Sequence, residues 1–301
     1  ILTKDMMVVA RDRNGLRPLA LGKLGDAWVV ASETCAFDLI GAEYVRDVEP
    51  GEILFITNNG IEEDTFAEQD KRAMCAMEYV YFARPDSNID GVNVHMARKR
   101  MGKELAREVA GIEADVITGV PDSSLSSAIG FAEESGIPYE LGLIKNRYVG
   151  RTFIQPTQEL RERGVKMKLS PVVQVVKGKR VVMVDDSIVR GTTSRRIVRM
   201  LKEAGAAEVH VMITSPPMTN PCFYGIDTST PEQLIASSHS VDEIRQAIEA
   251  DTLTFLSAEG MVRATARPFD DPDGGLCMAC FTGKYPTEIF PDTVLPHEKE
   301  C

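Results

Sequence analysis

Two adjacent carboxylates, Asp185 and Asp186, stand where a short apolar run meets a turn rich in serine, glycine and threonine. The run at residues 181–184 is β-branched, which is typical of a buried parallel strand. Beyond the turn, apolar residues recur at helical spacing up to Gly205, which predicts a helix that ends there. The stretch therefore predicts a strand, a polar loop and a helix, with both carboxylates placed just past the end of the strand.

The predicted loop has the features of an anion-binding site. A helix N-terminus presents unpaired backbone N–H groups and the positive end of the helix dipole, and Gly191 allows the backbone to approach a ligand closely. Thr192 and Thr193 add hydroxyl donors, so a phosphomonoester is the expected ligand. Because carboxylates repel a phosphate, we expect Asp185 and Asp186 to accept hydrogen bonds from sugar hydroxyls, hold a divalent cation, or do both.

A Walker loop and an ordinary helix cap both fit this stretch less well. A Walker loop requires a lysine before its serine or threonine, and none stands in residues 190–193. An ordinary helix cap needs one small polar residue, whereas this stretch is rich in them. Residues 179–193 resemble the phosphoribosyl pyrophosphate (PRPP) signature of the type I phosphoribosyltransferases. The resemblance implies that Asp185 and Asp186 are catalytic and bind Mg²⁺, and that PRPP is held by Ser187, Arg190, Gly191, Thr192 and Thr193.

A second strand, predicted at residues 114–120, also ends in small polar residues at the start of a helix. Taken alone, this turn is explained equally well by helix capping. In type I phosphoribosyltransferases the corresponding turn is the pyrophosphate loop, which implies that Asp122, Ser123 and Ser124 lie against the leaving group of PRPP. By the same resemblance, Ser123 occupies a position associated with Mg²⁺.

A basic segment follows a further predicted strand at residues 139–144. No periodicity returns until about residue 172, and a segment this long without regular structure is usually functional or disordered. One interpretation is a solvated linker. The other, which we favour, is a hood that closes over a polyphosphate and excludes water. In that interpretation Lys145 and Arg151 act in catalysis and Arg147 binds PRPP.

The first part of the chain is predicted to be β-rich, with short strands at residues 7–10, 27–31 and 53–56. Residues 10–19 and 31–38 resemble the closing part of the N-terminal-nucleophile glutaminase domain of the glutamine PRPP amidotransferases. In that family the nucleophile is an N-terminal cysteine, whereas this chain begins with Ile1. We therefore expect residues 1–66 to be the C-terminal part of a glutaminase domain, and synthesis to depend on ammonia and not on glutamine. Residues 67–301 are expected to form the phosphoribosyltransferase domain with a C-terminal cluster-binding segment.

Four of the six cysteines are candidate metal ligands. Cys277 and Cys280 form a Cys-x2-Cys pair in a glycine-rich loop, while Cys75 and Cys222 are too distant in sequence for spacing to assign them. Four thiolates fit zinc and an iron–sulfur cluster alike. The surroundings of these cysteines resemble those in the iron–sulfur-containing branch of the glutamine PRPP amidotransferases. That resemblance implies a [4Fe–4S] cluster with a structural or oxygen-sensing role.

Composition narrows the class of protein further. The formal charge of −11 argues against a nucleic-acid partner. No run of about 18 apolar residues exists, which argues against a membrane span, and we expect a cytoplasmic protein. Helix and strand alternate from residue 95 onward, which predicts an α/β fold with a mostly parallel sheet and ligands at the carboxyl ends of its strands. The resemblance specifies this as the type I phosphoribosyltransferase fold.

The resemblance also implies a reaction, the first step of de novo purine biosynthesis. Ammonia, taken from glutamine in the intact enzyme, displaces pyrophosphate at C1 of PRPP to give 5-phosphoribosylamine. A homo-oligomer and feedback inhibition by purine nucleotides are implied as well. Two alternatives remain. A PRPP-sensing regulator should carry a basic DNA-binding module, and a salvage phosphoribosyltransferase would bind a nucleobase and have no use for residues 1–62.

Overall fold

A computed structural model describes residues 1–68, 71–146, 169–228, 230–269 and 272–289. Contacts divide these residues into two compact units. The first unit takes its residues from Ile1–Ala97, Thr219–Pro231 and Thr265–Cys301, and the second from Arg98–Met218 and Glu232–Ala264.

The described residues form sixteen strands and eight α-helices. The strands are β1 Met7–Ala10, β2 Ala20–Leu24, β3 Ala27–Ala31, β4 Glu43–Asp47, β5 Glu52–Thr57, β6 Gly60–Thr65, β7 Met74–Cys75, β8 Asn88–Ile89, β9 Val92–Asn93, β10 Val116–Gly119, β11 Leu143–Lys145, β12 Leu169–Pro171, β13 Arg180–Asp185, β14 Glu208–Ile213, β15 Thr252–Phe255 and β16 Leu276–Cys277. The helices are α1 Cys35–Ile40, α2 Val94–Glu108, α3 Leu125–Ser135, α4 Val173–Val176, α5 Thr192–Glu203, α6 Val241–Ala247, α7 Ala258–Thr265 and α8 Ala279–Thr282. A π-helical segment covers Glu78–Phe82, and short 3-10 turns cover Pro231–Gln233 and Ile235–Ser237.

The second unit is built on a four-stranded parallel sheet in the order β10–β13–β14–β15. The strands predicted at residues 114–120 and 181–184 are confirmed as β10 and β13, whereas β15 was not predicted. Val181, Met183 and Val211 are fully buried in the sheet, as expected for parallel strands covered on both faces. The sheet has the predicted mostly parallel α/β architecture.

The strand predicted at residues 139–144 is wrong over most of its length. Tyr139 makes a single parallel bridge to Ile117, and the chain then leaves the sheet. Gly142 donates its N–H to the Thr118 hydroxyl, 3.0 Å away, and so does not continue the ladder. The next strand, β11, begins at Leu143 and pairs antiparallel with β12.

Helices α2 and α3 pack together with their backbones in close approach. A Cβ atom on Gly130 would overlap the carbonyl oxygen of Lys99, and one on Gly102 would overlap that of Ser127. Because α3 begins at Leu125, directly after the loop that follows β10, this packing fixes where that loop lies.

The first unit contains two three-stranded antiparallel sheets, β1–β5–β6 and β3–β2–β4. The predicted strands are confirmed as β1, β3 and β5, and their partners β2, β4 and β6 were not predicted. Leu21, Val48 and Leu54 are almost completely buried between the sheets' strands and turns. A separate parallel pair, β7 with β16, sets Cys75 opposite Cys277.

Contacts place residues 71–97 and the segments around Cys222 and Cys277 in the same unit as residues 1–68. The predicted domain boundary between residues 66 and 67, and the assignment of residues 1–66 to a glutaminase domain, stay predictions. Among the described helices, none is long and apolar enough to cross a bilayer.

Candidate active site and four-cysteine site

Two loops meet at the carboxyl edge of the parallel sheet. One follows β10 and contains Ser123 and Ser124, and the other follows β13 and contains Asp186. Because β10 and β13 are neighbouring parallel strands, their ends lie side by side. The Ser124 hydroxyl donates to Asp185 Oδ1 over 3.1 Å, which joins the loops directly. We call residues 122–124 and 185–193 the strand-end site.

Asp185 is the last residue of β13 and Asp186 is the first residue after it, so the prediction that both lie past the strand end is wrong by one residue. Both carboxylates are more than nine-tenths buried. Asp185 Oδ1 also accepts from the Asp186 N–H at 2.9 Å, and Asp186 Oδ1 accepts from the Ser187 hydroxyl at 2.7 Å. The Thr214 N–H donates to the Asp185 carbonyl over 2.9 Å and so holds the strand end in place.

Burial and mutual repulsion make the two carboxylates hard to ionise. Burial raises the pKa of Asp185, and the neighbouring Asp186 charge raises it further. Burial also raises the pKa of Asp186, against the opposing effect of hydroxyl groups on Ser123 and Ser187 and of the Arg98 charge. Arg98 lies on α2 and is buried. The sequence did not reveal this residue, because a single arginine on a helix has no local signature.

The loop after the carboxylates reaches the N-terminus of α5 through Gly191, whose φ of 75° lies in the left-handed region that glycine adopts readily. Within the described residues, no side chain caps this helix, and the N–H groups of Thr192 and Thr193 belong to its first turn. The positive end of the helix dipole is thus next to the two carboxylates. This is the geometry that the sequence predicted for a phosphate.

A second segment, residues 233–235, also contacts this loop, and the sequence did not reveal it. The Ile235 N–H donates to the Val189 carbonyl at 2.8 Å, and Arg190 Nη2 donates to Gln233 Oε1 at 2.7 Å. A Cβ on Gly191 would lie 3.2 Å from Ile235 Cδ1, so the Ile235 side chain packs closely against the backbone at Gly191. Arg190 is therefore held at the edge of the loop by Gln233.

Of the three basic residues predicted to act on the ligand, Lys145 lies within the described residues. Lys145 Nζ lies 2.5 Å from Asp122 Oδ2, and both side chains are more than half exposed. The Pro121–Asp122 peptide is cis. Arg147 and Arg151, predicted to act on the same ligand, lie outside the described residues.

The strand-end site lies within a segment that is similar to a known domain. Residues 90–218 match the family model of the phosphoribosyl transferase domain, and this range holds the whole site. These residues are therefore similar to a phosphoribosyl transferase domain. The match covers β10, β13 and β14 and the loops after β10 and β13, and it includes none of the four candidate cysteines.

Longer similarities extend over the whole chain. It is 70% identical over 301 residues to the amidophosphoribosyltransferase of Bacillus subtilis (strain 168), covering 100% of this chain and 63% of that protein. The corresponding enzyme of Staphylococcus aureus (strain Mu50) is 54% identical over 291 residues, covering 96% of this chain and 59% of that protein. The chain thus spans about three fifths of the length of the curated relatives it matches.

Solved structures agree with the sequence matches. Glutamine PRPP amidotransferase from B. subtilis, complexed with ADP and GMP, superposes with a TM-score of 0.93 at 69% identity, covering 99% of this chain and 65% of that one. A structure of the allosteric regulatory enzyme of purine biosynthesis gives a TM-score of 0.93 at 70% identity, covering 100% of this chain and 64% of that one. The predicted resemblance to the amidophosphoribosyltransferases is confirmed.

Outside the residues matched to the phosphoribosyl transferase domain, the four candidate cysteines come together in the first unit. They line one small pocket, together with Leu16, Tyr224, Ile226, Ala279 and Tyr285. Cys75 and Cys277 are paired across β7 and β16, and Cys280 lies in α8. The Asn220 N–H donates to the Cys280 carbonyl over 3.0 Å, which brings the Cys222 segment to the same place. We call Cys75, Cys222, Cys277 and Cys280 the four-cysteine site.

The thiols of this site are poorly suited to ionise without a metal. Burial raises the pKa of Cys75 to about 12, and burial likewise raises the pKa of Cys277. The pKa of Cys280 is raised by burial and by the three neighbouring cysteines. In the described part of the chain, no three His, Cys, Asp or Glu side chains surround a single metal-ion position. Cys35, also buried, lies elsewhere, next to Glu33.

Proposed function

We propose that this chain catalyses the transfer of ammonia to C1 of PRPP with release of pyrophosphate, which gives 5-phosphoribosylamine. The resemblance to the glutamine PRPP amidotransferases implies glutamine as the source of that ammonia. The observation that carries the proposal is the pair of buried carboxylates, Asp185 and Asp186, placed between the Ser124 loop and the N-terminus of α5. High identity to amidophosphoribosyltransferases supports the same reaction.

Each part of PRPP has a complementary group in the strand-end site. The 5-phosphate binds the N–H groups and hydroxyls of Thr192 and Thr193, where Gly191 leaves room for close approach. Ser187 and Arg190 complete this loop. The ribose hydroxyls donate to the carboxylates of Asp185 and Asp186, which are already held by fixed hydrogen bonds.

The donor set at the carboxylates fits Mg²⁺. Mg²⁺ is usually bound by one or two carboxylates together with waters and substrate phosphates, so a cage of three protein ligands is not required. Asp185, Asp186 and Ser123 would hold it, since all three offer oxygen atoms and the two carboxylates need a positive neighbour to ionise. When bound, the ion neutralises charge on the departing pyrophosphate.

The pyrophosphate lies against Asp122, Ser123 and Ser124, with Lys145, Arg147 and Arg151 supplying positive charge. In the described structure Lys145 is paired with Asp122, so it must exchange this partner for the ligand. The ionised carboxylates of Asp185 and Asp186 favour the positive charge that develops on the sugar as the bond to pyrophosphate breaks. Ammonia is already a nucleophile, so positioning and exclusion of water do most of the work.

Four thiolates fit zinc and an iron–sulfur cluster alike, and the family resemblance implies that the four-cysteine site holds a [4Fe–4S] cluster. A zinc ion holds each sulfur at about 2.3 Å, so its ligands must converge on one point. In a four-iron cluster each thiolate binds a different iron, and the sulfurs stand further apart. The described cysteines share one pocket, which supports a common metal group, and the family resemblance favours the cluster over zinc. Cys75 on β7 and Cys277 on β16 would help to hold the cluster, which would supply a structural or oxygen-sensing group.

Regulation and assembly belong to the same proposal. A similar structure holds ADP and GMP, and this supports feedback inhibition of the present chain by purine nucleotides. A homo-oligomer is proposed from the family resemblance. A cytoplasmic location is consistent with the five described cysteines, which are all free thiols.

The test is PRPP-dependent release of pyrophosphate with Mg²⁺, with ammonium or glutamine as the nitrogen donor. Release with ammonium supports the proposal. Tight PRPP binding without release would favour a PRPP-sensing regulator, and release that requires a nucleobase would favour a salvage enzyme. Release with glutamine alone would contradict the expectation that the chain uses free ammonia.

A further inference from the structure

One arginine far from the cysteines in sequence contacts two of the segments that carry them. Arg17 Nη1 donates to Glu78 Oε1 over 2.7 Å, and Glu78 lies three residues after Cys75. Arg17 Nη2 donates to the Tyr224 carbonyl over 2.9 Å, and Tyr224 lies two residues after Cys222. One guanidinium therefore connects the Cys75 segment to the Cys222 segment.

Backbone contacts fix the arginine itself beside the site. The Cys75 N–H donates to the Leu16 carbonyl over 3.0 Å, and Leu16 lines the pocket of the four-cysteine site. The Arg17 carbonyl accepts from Arg11 Nε over 3.0 Å. The backbone at Arg17 is thus held from both sides.

The contact with Tyr224 reaches a ligand sulfur. The Tyr224 N–H donates to Cys222 Sγ over 3.3 Å, while the carbonyl of the same residue accepts from Arg17. Hydrogen bonds to ligand sulfurs are among the contacts that set the reduction potential of an iron–sulfur cluster. Arg17 therefore holds Tyr224 through the peptide group that follows it, and so fixes the residue whose N–H donates to Cys222.

The structure assigns Arg17 as a positioning residue of the four-cysteine site, which joins the Cys75 and Cys222 segments and holds the Tyr224 N–H on Cys222. This assignment rests on the proposed function, in which the four thiolates bind a metal cluster. Partners around the first ring of metal ligands orient those ligands and tune the metal.

Two substitutions of Arg17 separate the effect of its positive charge from the effect of its hydrogen bonds to two acceptors. Arg17→Lys keeps the positive charge, but an ammonium on a flexible stem does not reproduce the rigid fork that reaches both acceptors. Arg17→Gln removes the charge as well. The milder Glu78→Gln removes one ion-pair partner and keeps an oxygen acceptor, so it tests the same link if Arg17→Gln does not fold. Arg84→Gln is the matched control, because Arg84 makes an exposed pair with Asp86.

The experiment loads the full chain with iron and sulfide without oxygen and then measures three quantities. These are iron per chain, the midpoint potential of the cluster, and the rate of iron loss to a chelator. Arg17→Gln and Arg17→Lys are expected to lose iron faster by roughly 10- to 100-fold, and Glu78→Gln by less. The potential should become more negative in Arg17→Gln and change little in Arg17→Lys, because a nearby positive charge stabilises the reduced cluster.

The outcomes distinguish a failure of the proposed role of Arg17 from a failure of the proposed cluster. Wild-type protein that takes up no iron but binds zinc would overturn the cluster, while the rate of zinc loss from the same variants would still test Arg17. Wild-type protein that binds no metal overturns both. A cluster whose rate of loss and potential in folded Arg17→Gln match those of Arg84→Gln would overturn the role of Arg17.

Discussion

Asp185, Asp186 and Ser187 are consecutive in the sequence and lie in one loop, whereas Cys75, Cys222 and Cys277 come from widely separated segments. Most of the strand-end site, residues 185–193, is a local motif at the end of one parallel strand, and residues 122–124 join it from the neighbouring strand. The four-cysteine site exists because β7 pairs with β16 and because Arg17 reaches two segments. Both sites hold buried ionisable groups that are easier to ionise with a cation.

This difference shows what holds each site in place. In the strand-end site the sheet and its helices supply the positions, and two like charges cost stability until a ligand arrives. In the four-cysteine site the strand pair is two residues long on each side, so the proposed cluster contributes to the fold itself. Removing a ligand group should therefore have opposite effects on stability at the two sites.

The largest effect is expected for Asp185→Asn, which removes one of the paired charges and keeps the size of the side chain. We expect ammonium-dependent pyrophosphate release to fall by about 10²- to 10³-fold, since charge stabilisation in the transition state is lost. The free energy of unfolding at neutral pH should rise by about 1 kcal/mol, because repulsion at a functional site is relieved. Steady-state kinetics and chemical denaturation measure the two changes.

The stability of the strand-end site should also depend on pH. Burial raises the folded-state pKa of Asp185 above its unfolded value. The wild-type free energy of unfolding should therefore decrease as the pH rises above about 4 and through the folded-state pKa. In Asp185→Asn the decrease should be smaller. Asp115→Asn is the control, because hydrogen bonds from Arg180 lower the Asp115 pKa and give it the opposite pH dependence. Loss of stability in Asp185→Asn would contradict the predicted repulsion between the carboxylates.

More of the strand-end site than of the four-cysteine site could be predicted from the sequence, because most of its residues are close together in the chain. The strand, the carboxylates and Gly191 are adjacent, so periodicity and residue type predicted the loop and its helix. Arg98, Gln233 and Ile235 were missed because they reach the site through tertiary contacts that leave no pattern in their own segments. The four cysteines were named through family resemblance, since spacing linked Cys277 to Cys280 alone.

The pairing of strands was also difficult to predict from the sequence. Apolar alternation predicted β1, β3 and β5, but β6 is largely charged and exposed, so its pairing with β5 could not be read from hydrophobicity. The strand predicted at residues 139–144 failed because Gly142 bonds to a threonine side chain in place of a neighbouring strand. Local pattern gives an element's type, while its partner depends on the rest of the chain.

The next effect in size is expected for Cys277→Ser, which removes a proposed ligand at the end of β16. We expect loss of bound iron and a decrease in the free energy of unfolding by about 2 kcal/mol or more, as for loss of a metal site. Iron analysis and denaturation measure both. Cys35→Ser is the matched control, because Cys35 is equally buried but lies outside the four-cysteine site. Unchanged iron content and stability in Cys277→Ser would remove the basis for treating this site as part of the fold.

Packing behind the strand-end site should matter as well. Gly130→Ala places a methyl group against the carbonyl of Lys99, so α3 must shift away from α2, at an expected cost of about 3 kcal/mol. Pyrophosphate release should fall because α3 begins at the Ser124 loop. The control is Gly136→Ala at the end of the same helix, where φ is 73° and nothing lies within 4 Å of the new methyl group. That change should cost about 1 kcal/mol through backbone conformation alone. Equal costs at the two glycines would mean that helix packing does not set the position of this site.

The smallest effect is expected for Gln233→Ala, which removes the acceptor that holds Arg190 Nη2. The backbone bond from Ile235 to Val189 remains, so the loop keeps its path and Arg190 gains freedom. We expect the KM for PRPP to rise by roughly threefold with kcat unchanged, which corresponds to less than about 1 kcal/mol of binding free energy. Gln246→Ala is the control, since Gln246 bonds to Asp242 on the exposed face of α6. A fall in kcat with unchanged KM would mean that Gln233 acts on the reacting groups and not on the phosphate loop. The strand-end site would then depend on distant contacts as strongly as the four-cysteine site does.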